Sequence, residues 1–264
     1  QNEMADLVAT RLLSADAPDE DIPLVFTKLT PSITYNGRYT SSEAGLRAYV
    51  RDITRDGNIT LSIRQLNGNN WSASGGGATS RVSASTFKLY VALYLFDQMN
   101  KGNTSWNDSM LDTTVSTCFD RMTIASTNPC AYEWLNQWGR GTVNNFLYAN
   151  GFSTATTFTH PLASHTSTDD LVRFMAGLET GSLIGGEHRD RLLSSLNSHP
   201  YRSGVPAGSA GRVHNKVGFL WDYLTDGSIV YHPNGTYVMG IITKGQSYAR
   251  IAEITRELEK IMYP

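Results

Sequence analysis

Ser85-Thr86-Phe87-Lys88 opens an unbroken apolar run at residues 89–96, which Asp97, Gln98 and Met99 follow. This pattern predicts that the tetrapeptide is the first turn of a helix buried on most sides. Three residues apart on one helix, Ser85 and Lys88 face the same way, which brings the amine within reach of the hydroxyl. A serine hydroxyl is a weak nucleophile at neutral pH unless a neighbour takes its proton, and desolvation by such a helix favours the neutral amine that can take it. The pair is a candidate nucleophile and base. Alone the spacing is weak evidence, because Ser-x-x-Lys arises by chance about once in a chain of this length.

Around this stretch the chain reads as an ordinary globular protein. Its 264 residues, 40% hydrophobic and 10% aromatic, suffice for a sizeable core in one large domain or two small ones. The 22 basic residues nearly balance the 24 acidic ones, and no Lys/Arg-rich block occurs, so neither a nucleic acid nor an anionic membrane is an expected partner. Residues 89–96 fall well short of the roughly 18 apolar residues of a membrane span. The six histidines form no pair with zinc-ligand spacing on a helix, and Cys118 and Cys130 lie too far apart for a Cys-x-x-Cys site, so no metal or other cofactor is expected. The chain begins at Gln1-Asn2 without an initiator methionine, as would a trimmed chain or a mature product that has lost an export signal or anchor.

Residues 1–40 read as an extension, with a short amphipathic helix at 5–13 and an acidic, Pro-containing linker at 15–21. From Ser41 a helix begins, with Leu46, Tyr49, Val50 and Ile53 as its apolar face. Residues 59–66 alternate as a strand, with a turn at 67–70. Ser74-Gly75-Gly76-Gly77 lacks the Gly-Lys-Ser/Thr of a phosphate loop and reads as a flexible loop. Helical spacing then recurs at 115–125, 130–138, 143–149, 168–177 and 187–196. Strands follow at 213–220, 227–231 and 237–243, before a closing helix at 248–261. This order predicts an α/β (strictly α+β) domain over residues 41–264. One antiparallel sheet is flanked by N- and C-terminal helices, beside an all-helical lobe, with a cleft between the two.

Two further motifs stand out. Ser126-Thr127-Asn128 lies at the junction of two predicted helices, where polar residues often serve only as caps. Lys216-Val217-Gly218 lies on a predicted strand, where a lysine often simply faces solvent. Together and in this order, the three motifs resemble those of the penicillin-recognising serine hydrolases, which include class A β-lactamases and penicillin-binding proteins: Ser-x-x-Lys at a helix start, Ser-x-Asn between helices and Lys-Thr-Gly on a strand. The stretches Thr166-Ser167-Thr168-Asp169-Asp170-Leu171 and Gly204-Val205-Pro206-Ala207-Gly208 look like the corresponding class A segments, as do residues 187–193.

The resemblance implies that Ser85 is acylated while Lys88 accepts or relays its proton, and that Ser126 protonates the leaving nitrogen. It implies that Asn128 holds Lys88 and the substrate amide, that Lys216 attracts the substrate carboxylate, and that the N–H groups of Ser85 and Phe219, beside Gly218, receive the oxyanion. The substrate is then a β-lactam or a D-alanyl peptide, handled outside the cytoplasm by a monomer. Two departures qualify this. Val217 replaces the hydroxyl residue of Lys-Thr-Gly, a lost donor worth about 1 to 3 kcal/mol if buried. The segment at 151–166 contains neither Asp nor Glu, where class A β-lactamases carry the glutamate that activates the deacylating water. Its titratable side chains are His160 and His165, so slow deacylation is expected; His160 or His165 could substitute as base but equally suit a loop surface, and Lys88 could serve less efficiently. A D,D-peptidase, or a sensor or pseudoenzyme that acylates once, remains the alternative.

Cys118 and Cys130 are twelve residues apart, flank the Ser126-Thr127-Asn128 turn and lie near facing ends of two predicted helices. In a chain that looks exported they are expected to form a disulfide, with two buried free thiols as the alternative.

Overall fold

A computed structural model describes residues 38–264; the helix and linker predicted at 5–13 and 15–21 lie outside the described residues. The first described helix, α1 (Glu43–Ile53), starts where Ser42 accepts a bond from the Gly45 N–H, and it buries Leu46, Tyr49, Val50 and Ile53. The strands β1 (Ile59–Gln65) and β2 (Ser72–Gly75) form a hairpin. Ser74 and Gly75, expected in a flexible loop, belong to this edge strand, since pairing with Leu61 and Ser62 supplies the bonds that a glycine-rich sequence does not advertise.

After β3 (Arg81–Val82) and a 3-10 turn at Ala84–Thr86 comes the central helix α2 (Phe87–Asn100). Its residues 87–96 are all buried, so helix α2 is surrounded rather than amphipathic. Ser85 therefore sits in the 3-10 turn that leads into α2, one turn earlier than a regular helix. A small hairpin, β4 (Ser109–Met110) and β5 (Thr113–Thr114), leads into α3 (Val115–Thr123), α4 (Pro129–Trp138) and α5 (Arg140–Ala149). β6 (His165–Thr166) pairs with β3 and feeds α6 (Thr168–Thr180), followed by α7 (Gly186–Ser198) and the single turn α8 (Val205–Gly208).

The chain then returns through β7 (Arg212–Leu220), β8 (Tyr223–His232) and β9 (Gly235–Lys244) to the closing helix α9 (Tyr248–Met262). β8 starts four residues before the predicted strand, because Asp226-Gly227 looks like a turn in sequence yet pairs in the ladder with Val217 and Lys216. The sheet is antiparallel with order β2-β1-β9-β8-β7.

Both faces of the sheet are covered. Tyr237, Met239 and Ile241 pack with Leu46, Tyr49, Ile251, Ile254 and Leu258 under α1 and α9. Val238, Ile242 and Ile229 instead join Leu89, Phe119, Leu147, Leu171 and Phe174 in a core shared with the helical lobe. The alternation follows from the two-residue period of a strand. Gly240 is required here: a Cβ would lie 2.8 Å from the Thr168 carbonyl oxygen, at the start of α6. That close approach carries α6 and the segment before it onto the sheet, beside the start of α2.

Candidate active site

Three elements from distant parts of the chain converge at the head of α2. Ser85 and Lys88 are both buried, and the Lys88 Nζ lies 3.1 Å from the Ser85 Oγ. The same amine donates to the Ser126 carbonyl and lies 3.3 Å from the Ser126 Oγ. From the opposite side the Nζ of Lys216, itself 2% exposed, donates to the Ser126 Oγ at 2.7 Å and to its own strand at the Val217 carbonyl, 2.9 Å away. Two buried amines thus share one hydroxyl, and a row of polar atoms runs from Ser85 through Lys88 and Ser126 to Lys216. The lysine that a strand pattern would send to solvent is turned inward.

The local backbone is bent to make this meeting possible. Ala84 and Ser126 have φ of 45° and 61°, a region L-residues seldom occupy and which costs on the order of 1–3 kcal/mol each. Both flank the polar row. The Ser126 turn is held by the Thr127 N–H and hydroxyl, which donate to the Arg121 carbonyl at 2.9 and 3.1 Å, and by the Tyr201 hydroxyl, which donates to the Ala125 carbonyl at 3.0 Å. Asn128 is fully buried at the N-cap position of α4, but its side chain makes no capping bond, so a cap is not its role. Cys118 of α3 and Cys130 of α4 form a disulfide with Cα atoms 5.5 Å apart, closing the loop that contains Ser126.

β7 is an edge strand, and it passes directly against the 3-10 turn. A Cβ at Gly218 would stand 2.4 Å from the Ser85 nitrogen and 2.9 Å from the Ala84 Cβ, so no larger residue fits without moving Ser85. The Thr225 hydroxyl of β8 lies 3.1 Å from the Ser83 carbonyl and 3.3 Å from that of Gly218, lacing turn and strand together. Phe219 follows, partly buried against the core below α9, and Val217 is 3% exposed.

Behind Lys216 lies a buried polar chain to which the sequence assigned no role. His199 bonds Asn215 between Nε2 and Oδ1 at 2.7 Å, and the Asn215 amide donates to both oxygens of Asp226 at 3.0 and 3.1 Å. Because the His199 Nδ1 accepts the Tyr201 N–H, its Nε2 carries the proton in this arrangement. Burial, with Lys216 nearby, pushes the imidazole down to about 4, and burial pushes the Asp226 carboxyl up to about 6. His214 is likewise pushed down to about 4 by burial and by Arg212. The visible signal for this chain was His214-Asn215 directly before Lys216.

The 151–166 segment is built differently. Asp170, 5% exposed on α6, gathers it: the Ser153 N–H and hydroxyl and the Thr156 hydroxyl all donate to its oxygens at 2.6–3.2 Å. The Thr166 hydroxyl bonds those of Tyr90 at 2.6 Å and Thr156 at 2.8 Å. The segment reaches the neighbourhood of Ser85, since the Ser83 N–H donates to the Ser164 carbonyl at 3.0 Å and Val82 pairs with His165. His160 and His165 stack with ring centroids 3.7 Å apart; the His160 Nδ1 accepts the Leu162 N–H, and the His165 Nδ1 bonds the Ala163 carbonyl at 2.7 Å. Burial lowers the His165 pKa.

The sequence profile of the beta-lactamase enzyme family (Beta-lactamase2) matches residues 44–113 and 108–263. The chain belongs to this family. No curated protein matches the sequence. Among solved structures, a mutant of PBP-A in an acyl-enzyme complex with penicillin G superimposes with a TM-score of 0.72 at 21% identity, over 83% of this chain and 94% of that one. Beta-lactamases from Sphaerobacter thermophilus and Xanthomonas campestris each give a TM-score of 0.72 at 16% identity over 84% of this chain, covering 97% and 99% of theirs. These likenesses show that the family member has the fold shared by penicillin-recognising serine hydrolases: an antiparallel sheet with helices on both faces. No helix among the described residues is long and apolar enough to cross a membrane.

Proposed function

We propose that this beta-lactamase family member transfers the acyl group of a β-lactam, or of a related D-alanyl peptide amide, to Ser85 and hydrolyses the ester slowly, outside the cytoplasm. The observation that carries the reading is the Lys88 amine within 3.3 Å of both the Ser85 and the Ser126 hydroxyl oxygens. In this reading the amine, in its neutral form, removes the Ser85 proton as the Oγ–carbonyl bond forms. The oxyanion is received by the N–H groups of Ser85 and Phe219, which Gly218 allows to approach. As the C–N bond breaks, Ser126 gives its proton to the leaving nitrogen and is reprotonated from Lys88. Lys216 holds the Ser126 hydroxyl in place and offers its positive charge to the substrate carboxylate, while Asn128 holds Lys88 and the substrate amide.

Hydrolysis then needs a water deprotonated beside the ester, and residues 151–166 bring no carboxylate to that task. Asp170 anchors the segment with four hydrogen bonds from Ser153 and Thr156. The same observation favours a second reading, a D,D-peptidase of wall peptides, which has no need of such a glutamate. Intact-mass analysis after exposure to penicillin G tests the first step: one adduct is expected, absent in Ser85→Ala, and an adduct mapped to Ser126 would overturn the assignment. A chromogenic cephalosporin separates the readings. A stoichiometric burst followed by slow colour supports slow hydrolysis, and a burst alone supports a peptidase or sensor.

A further inference from the structure

The sheet edge opposite the active site carries a second concave surface. β2 forms that edge and β7 the other, four strand spacings away, which is roughly 19 Å across the sheet at about 4.8 Å per step. A depression of about 750 Å³ wraps the β2 edge; its lining includes Arg47, Arg51 and Arg55 from α1 and the turn after it, Arg64 from β1, and Asp169. A neighbouring depression of about 510 Å³ shares Arg64 and Asp169 and adds Arg173 from α6. Together their linings hold five guanidinium groups and the Asp169 carboxylate; Glu43 and Asp52 pair with two of the five, which leaves Arg51, Arg64 and Arg173 against Asp169, in a chain whose net charge is −2. Near-neutral overall composition conceals this local excess.

The arrangement is a consequence of helix geometry. Residues four apart on a helix stand on one face about 6 Å apart along the axis, so Arg47 and Arg51 follow a single stripe beside β2, and Arg55 lies in the turn just beyond the helix end. Arg47 is aimed across the strand by a 3.0 Å bond from its Nε to the Ser72 carbonyl and is paired with Glu43 at 3.0 Å. Arg55 is paired with Asp52 at 2.8 Å. Arg51 and Arg64 are exposed and make no salt bridge among the described residues. The Asp169 carboxylate, whose Oδ1 accepts the hydroxyls of Ser62 and Ser74 at 2.6 and 3.0 Å, offsets one of the three remaining charges. Like charges on successive turns repel, and a bound anion would relieve that repulsion.

We propose that this trough binds a linear phosphate polyanion. Guanidinium forks match phosphate oxygens with paired donors. The positive groups are strung along two joined depressions instead of converging on one point, which suits a ligand with successive phosphates over a single ion. The site is separate from Ser85 and independent of the acyl-transfer reading.

Calorimetric titration of the full chain with sodium tripolyphosphate at low ionic strength tests it. Saturable binding is expected, with orthophosphate at least about tenfold weaker and the affinity falling as salt is added. Arg51→Glu with Arg64→Glu should weaken binding by at least about tenfold, because two attractions become repulsions, while acylation of Ser85 by penicillin G proceeds at the unaltered rate. Lys101→Glu with Arg256→Glu, an equal charge change at exposed positions away from the trough, should leave binding intact. Absence of saturable binding, equal affinity for orthophosphate, or equal losses in the two double variants would overturn the proposal.

Discussion

The head of α2 and the 151–166 segment lie side by side, yet they are furnished differently. At the head of α2 two buried lysines converge on one serine hydroxyl beside a second serine, and a glycine lets an edge strand touch the nucleophile's own N–H. The 151–166 segment is knit from hydroxyls around Asp170, with two histidines stacked on each other. The first region concentrates amines and hydroxyls within hydrogen-bond reach of one another. The second has no carboxylate of its own and is held in shape by Asp170 of α6. In the proposed reaction, acylation draws on the first region and deacylation on the second.

The comparison breaks first at Lys88. Lys88→Ala is expected to lower the rate of Ser85 acylation by about 10²- to 10⁴-fold, measured as adduct formation over time with penicillin G. Retained near-UV circular dichroism would separate lost proton transfer from lost packing. An unaltered rate would remove Lys88 from the reaction. Gly218→Ala comes next: its Cβ would stand 2.4 Å from the Ser85 nitrogen, so the oxyanion donors must shift, with an expected loss of about 10²- to 10³-fold in acylation. A variant as fast as the parent would show that the strand can yield.

The other half of the comparison is sharpened by pre-steady-state kinetics with a good cephalosporin. A burst equal to the enzyme concentration, then a slow phase, is expected. His160→Ala should leave the slow phase nearly unchanged, since its Nδ1 accepts the Leu162 N–H and its Nε2 then carries the proton, whereas His165→Ala tests a ring whose Nδ1–H is held by the Ala163 carbonyl and whose Nε2 can accept a proton. Rapid, burst-free turnover that one of these substitutions abolishes would make that histidine the base.

Smaller effects concern the supports of the acylating region. Removing the Cys118–Cys130 bridge by Cys118→Ala with Cys130→Ala is expected to cost about 2 to 3 kcal/mol in denaturant unfolding, the loop-entropy value for a short loop. Finally, His199 and His214 are held down at about 4, against roughly 6.5 when unfolded, so their stabilising contribution is complete above pH 6.5 and lost as pH falls toward 4. Asp226, raised to about 6, acts in the opposite sense: its contribution is present below about pH 4 and lost as pH rises through 6. The melting temperature should fall between pH 6.5 and 4, more steeply in Asp226→Asn and less steeply in His214→Phe.

Much of this was legible in one dimension because the physics behind it is local. An apolar run with Ser and Lys at its head, a polar tripeptide between helices and a Lys-x-Gly on a strand each depend on short spacings, and helix periodicity located α1, α3 to α7 and α9 within a few residues. The missing acid of residues 151–166 is likewise a property of composition alone. Folding decided what depends on approach between distant segments. Lys216 turns inward because the Ser126 hydroxyl, ninety residues earlier, lies 2.7 Å away. Ser85 sits in a 3-10 turn where the Ala84 backbone bends against β7, and Asp226, buried in β8 opposite Val217, has its carboxylate met by Asn215 and Ser228. A buried polar group is tolerated only where partners meet it, and partners brought together across a hundred residues leave no periodicity in the chain that carries them.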